Sequence, residues 1–121
     1  MYPPIFATVK AVGAVTALLG VDPLRFYSFG SAPATVAKPY AVWRTVYGSP
    51  DNLLQGIPGS DSFGIQIDVY ALTGASARAV GEALQAAIEP VAYVVAYNGE
   101  SQDPDTKNYS YGFTVDWMKV R

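Results

Sequence analysis

A chain of 121 residues that is 50% hydrophobic and 15% charged can pack one core and is not a wholly disordered chain. Eight basic residues stand against ten acidic ones with no run of Lys or Arg, which excludes a groove that tracks nucleic-acid phosphates. Cysteine and histidine are both absent, which removes disulfides, thiolate nucleophiles, the commonest general base and the commonest transition-metal ligand.

Pro3 and Pro4 suit the first turn of a helix, where a missing N–H costs nothing. Ile5, Val9, Val12 and Leu19 recur at helical spacing, with Phe6 and Val15 widening the stripe. One helix is therefore expected up to Gly20, stopped by Asp22-Pro23. Residues 24–29 read as a short strand, closed by the Gly30-Ser31-Ala32-Pro33 break. Residues 39–47 are rich in β-formers and apolar on both faces, as in a strand covered on two sides, with Arg44 as the one charge. Residues 48–62 read as a long Gly/Pro loop. Its Leu53, Leu54 and Ile57 either fold back on the core or dock on another subunit.

Residues 63–72 form the clearest strand. Phe63, Ile65, Ile67, Val69 and Ala71 alternate with Gln66, Asp68 and Tyr70, so one face meets a core and the other carries polar groups. Thr73 can cap the next helix, whose stripe is Ala77, Val80, Leu84, Ala87 and Ile88 and whose end is Glu89-Pro90. Arg78 and Glu82, four apart, are expected to make a weak surface pair. A strand over 91–97, a polar turn over 98–108 and a strand over 109–120 with Tyr109, Tyr111, Phe113, Val115 and Trp117 on one face complete the chain. The order α-(β)-β-β-α-β-β predicts a single α+β domain over residues 1–121. Two helices would pack on one face of a mostly antiparallel sheet of four to five strands.

No residue pattern supports catalysis, cofactor binding or a metal site, so the chain is not expected to be an enzyme. Asp68 and Asp116 belong to no acid–base motif; a solvated face or a pair with Arg44 accounts for them. Asp103-Pro104-Asp105-Thr106-Lys107 lacks the spacing, Gly and closing Glu of a calcium loop and reads as a hairpin turn. The N-terminus lacks the basic start of a signal peptide, and the apolar run over 11–21 is too short to span a bilayer. A soluble, cytoplasmic protein is expected.

The succession of Leu18-Leu19-Gly20, Arg25-Phe26-Tyr27, Pro39-Tyr40-Ala41-Val42-Trp43 and Gln66-Ile67-Asp68-Val69-Tyr70-Ala71 spans much of the chain. With Ala77-Arg78 and Asp103-Pro104-Asp105-Thr106 before an aromatic last strand, it resembles the small tail-completion, or tail-terminator, proteins of long-tailed bacteriophages and prophages. That resemblance implies an α+β subunit of a hexameric ring that caps the tail tube, ends its polymerisation and joins tail to head. The implied partners are other copies of the chain, the tail tube protein and the head–tail connector protein. DNA passes through the ring without specific binding, and no membrane or cofactor is involved. Assembly would take place in the host cytoplasm, and the protein would then reside in the virion tail.

In such a ring Arg44, Leu53, Leu54, Ile57, Gln66, Asp68 and Tyr70 are the candidates for subunit or tube contact. The loop acids Asp51, Asp61, Asp103 and Asp105 are either simply solvated or face the lumen, where they would repel DNA phosphates. The alternative is a small-ligand-binding α+β domain with a sheet pocket lined by Tyr and Trp.

Overall fold

The computed structural model of the chain describes residues 3–21, 24–33, 36–50 and 59–120. Among them the elements run α1 (Ile5–Lys10), α2 (Gly13–Leu19), β1 (Phe26–Ser28), β2 (Tyr40–Pro50), β3 (Ser60–Ala71), α3 (Gly74–Ile88), β4 (Tyr93–Gln102) and β5 (Tyr109–Val120). The strands form one sheet in the order β1-β2-β3-β5-β4, antiparallel except for the parallel β1–β2 pair. The fold is α+β.

The core follows from the alternation in β3. Phe63, Ile65, Ile67, Val69 and Ala71 are all buried, and the register sets Ile67 beside Phe113 and Ile65 beside Val115 on β5. α3 covers this face with the stripe expected of it, Ala77, Val80, Leu84, Ala87 and Ile88, together with Gly81 and Gln85. Its first turn is capped where Ser76 N donates to Thr73 Oγ1 at 3.1 Å.

Three expectations about extent are corrected. The single N-terminal helix is two: Val12 adopts an extended backbone (φ −102°, ψ 118°) and α2 starts afresh at Gly13. In one unbroken helix Thr16 would sit mid-stripe and Val15 at its border. The break reverses them, burying Val15 while Thr16 donates back to the Gly13 carbonyl. Phe6 does not join the core; its exposed ring lies under Lys10 Nζ.

The expected loop over 48–62 is shorter, because Gly48, Ser49 and Pro50 pair with Phe63, Ser62 and Asp61. Pro50 is tolerated there because β1 pairs only as far as Trp43, leaving this part of β2 an edge strand. The turn expected over 98–108 shrinks in the same way, since β4 continues to Gln102. Nor is β2 covered on two sides within one chain: Val46 and Tyr47 are exposed.

Candidate functional site

The face of the sheet away from the helices carries a connected polar ladder. Register places Arg44 opposite Gln66 and Val42 opposite Asp68, so Arg44 and Asp68 are diagonal neighbours on one face. Arg44 Nη2 donates to Gln66 Oε1 at 3.1 Å, and Gln66 Nε2 donates to both Asp68 carboxylate oxygens at 3.3 and 3.2 Å. Arg44 and Asp68, for which a direct pair was one of two readings, are thus linked through Gln66. Gly112 on β5 makes room for it, since a Cβ there would stand 2.7 Å from Asp68 Oδ1.

Tyr70 closes the upper end of the ladder by stacking on Tyr40, with ring centroids 5.2 Å apart. Partial burial, then the Asp68 carboxylate, raises its hydroxyl pKa above the ordinary 10.0, with Arg44 opposing. Tyr70 therefore remains a neutral hydroxyl across the physiological range. Beyond it, a groove of about 500 Å³ runs from the Tyr40–Tyr70 stack past Ser110 and Ser101 to the β4–β5 turn.

Sequence periodicity missed the lower end of this face. Strict alternation would send Tyr47 to the helix side with Ala41, Trp43 and Thr45. A bulge at Val46, between the pairs Thr45–Ile65 and Tyr47–Gly64, turns it over. Its ring lies against Gly64 and its hydroxyl donates to Asp116 Oδ1. The available signal was Gly64, since a glycine inside a strand marks the close approach of another group.

The remaining candidates separate. Leu53, Leu54, Ile57 and Asp51 lie outside the described residues. Asp61 is in β3, not in a loop, paired in register with Pro50 and Lys119. Asp103 builds the β4–β5 turn, accepting from the backbone N–H groups of Asp105 and Thr106 at 2.8 and 3.2 Å, while Asp105 is exposed beside it. Arg78 does not pair with Glu82; its guanidinium reaches Glu100 on β4. On the helix side, the indole N–H of Trp43 is buried without a partner among the described residues. No group of three or more His, Cys, Asp or Glu that could hold a metal is found among them, and no helix there is long and apolar enough to cross a membrane.

On this face the polar side chains are hydrogen-bonded within one copy, and exposed apolar ones stand at its margins. Similar folds occur in solved structures. A chain of the virion of a native gene transfer agent particle aligns with TM-score 0.75 at 12% identity, covering 97% of this chain and 92% of that one. The gp17 protein of bacteriophage SPP1 aligns with TM-score 0.60 at 11% identity, covering 97% and 86%. No curated protein sequence matches the chain. Residues 3–119 match the family model described as Tail completion protein gp17, so the chain belongs to that family of bacteriophage tail structural proteins.

Proposed function

We propose that copies of this chain close into a ring on the end of the tail tube, where the ring stops polymerisation and presents the surface that joins tail to head. The observation that carries this reading is the amount of apolar surface one copy leaves uncovered. Val46, Tyr47, Met118 and Val120 stand out at the hairpin end of the sheet, and Tyr93, Val95 and Tyr97 along β4. Apolar patches of this kind mark association sites. A closed ring uses two different patches of each copy, which suits a subunit with two unlike margins. In this reading, which membership of the tail completion family supports, the ring is a hexamer, its neighbours are the tube protein and the head–tail connector, and its role is non-enzymatic.

Within this reading, the ladder Arg44–Gln66–Asp68 with Tyr70 is a subunit-facing surface. Leu53, Leu54 and Ile57 contact the tube or a neighbouring copy. Asp61, with Asp51, keeps the DNA path acidic, which lets phosphates slide without sticking. Membership of the tail completion family supports residence in a tail, and in this reading assembly takes place in the host cytoplasm.

Electron microscopy of tails assembled without the chain tests the function: overlong tails are expected, and tails of normal, closed length would refute termination. Mass measurement by light scattering, with and without tubes, tests the ring. A chain that stays monomeric on tubes would end the ring reading. Unimpaired joining by a Leu53→Asp, Leu54→Asp variant would remove the contact proposed for these residues.

A further inference from the structure

β4 is an edge that a solitary subunit would hardly tolerate. It lies at one end of the sheet, is ten residues long, and exposes Tyr93, Val95 and Tyr97 at 78%, 52% and 66%. Edges left to solvent are normally blunted with Lys, Pro, bulges or short length, and β4 has the bulges but neither Lys nor Pro. Its two bulges, at Val95 and Asn98, twist the strand without hiding these side chains.

Charge identifies what covers it. Residues 82–106, which lead into, through and out of β4, contain Glu82, Glu89, Glu100, Asp103 and Asp105 and no basic residue. Residues 24–33 and 36–50, which include β1 and β2 at the opposite edge, contain Arg25, Lys38 and Arg44 and no acidic residue. Phe29, at the end of β1, is 73% exposed. The strand order sets these segments at opposite margins of one sheet. Two β4 edges brought together would set acid against acid, whereas β4 against the β1–β2 margin sets acid against base and aromatic against aromatic.

We propose that the β4 edge of one copy docks on the β1–β2 edge of the next, head to tail. The Val95 bulge puts Tyr93 on the face of Asp116 and Tyr97 on the face of Phe113, so one of the two approaches Phe29, and the acidic segment faces Arg25, Lys38 and Arg44. This rests on the ring reading above and names the two patches that the ring would join.

The absence of cysteine makes the contact directly testable. Phe29→Cys is combined with Tyr97→Cys, and separately with Tyr93→Cys. All three sites are exposed, and circular dichroism checks that the variants fold. The assembled proteins are then oxidised. At least one double variant should give a ladder of covalent multimers on a denaturing gel, while each single variant stays largely uncrosslinked. Single variants giving covalent dimers as the main product would overturn the head-to-tail pairing in favour of like edges meeting. Rings seen by electron microscopy with no ladder from either double variant would overturn the edge contact and leave the ring standing. No ring on tubes would overturn both.

Discussion

Arg78 on α3 clamps Glu100 on β4 with two hydrogen bonds, Nε to Oε1 at 2.7 Å and Nη2 to Oε2 at 2.8 Å. The pair ties the helix layer to the outermost strand of the sheet. The fork of the guanidinium matches the carboxylate, a geometry that a Lys could not reproduce. It also takes Arg78 from Glu82, its neighbour four residues along the same helix, because a bidentate partner across the fold outcompetes a monodentate one on a flexible flank.

The clamp sets a pH dependence. Its hydrogen bonds hold the Glu100 carboxyl below the ordinary 4.5. A depressed folded value means the stabilisation is present above pH 4.5 and is lost as pH falls through the lower folded value. Both groups are solvent-exposed, so the effect is small and screened by salt. Melting temperatures of wild type and Glu100→Gln measured from pH 7 down to pH 3 should differ at the neutral end and converge at the acid end. A constant difference would show that the carboxylate charge is irrelevant.

Beneath the clamp, α3 packs on β5 through a glycine. A Cβ on Gly81 would lie 2.5 Å from the Tyr111 ring, whose hydroxyl accepts a hydrogen bond from Gln85 Nε2 at 2.8 Å. Gly→Ala inside a helix ordinarily stabilises by about 1 kcal/mol. Here Gly81→Ala should instead destabilise by about 1–3 kcal/mol, because the ring must move and the buried Gln85 amide loses its acceptor. Urea denaturation reads the sign directly.

What was legible in the sequence was whatever kept a constant period. The β3 alternation and the α3 stripe marked the core side chains because no bulge interrupts the β3–β5 pairing and no break interrupts that helix. The misread positions sit at defects in period. Val46, Val95 and Asn98 are extra residues that shift parity, and Val12 restarts a helix. Gly48 read as loop, yet it is paired strand whose missing side chain leaves space for the Phe63 ring, 2.8 Å from where a Cβ would be. The polar face was foreseen through Gln66, Asp68 and Tyr70. The relay through Gln66 depends on the cross-strand register with β2, which composition alone does not determine.

The two faces of β3 should separate stability from assembly. Ile67 is fully buried between Trp43 and Phe113, and Ile67→Ala should cost about 2–5 kcal/mol. Gln66, its neighbour, is only partly buried, and Gln66→Ala should cost about 1 kcal/mol or less. If the polar face is a subunit surface, Gln66→Ala nevertheless weakens ring formation on tubes. Equal effects of the two substitutions on assembly, after correction for the folded fraction, would argue against that role.

Gly64 and Tyr47 offer the sharpest test of the bulge. Glycine in a strand interior is ordinarily worth about 0.5–1 kcal/mol less than alanine. Gly64 is kept because the Tyr47 ring occupies the space its Cβ would fill, and from there Tyr47 donates to Asp116 across β3. Gly64→Ala should therefore expel the ring, break that hydrogen bond and destabilise by about 1–3 kcal/mol. In a Tyr47→Ala background the same substitution has nothing to displace, and it should become stabilising by about 0.5–1 kcal/mol. The change of sign is a coupling between the two sites, measurable by a double-mutant cycle in urea. An identical cost of Gly64→Ala with and without the Tyr47 ring would mean that the bulge does not seat Tyr47 on this face in solution.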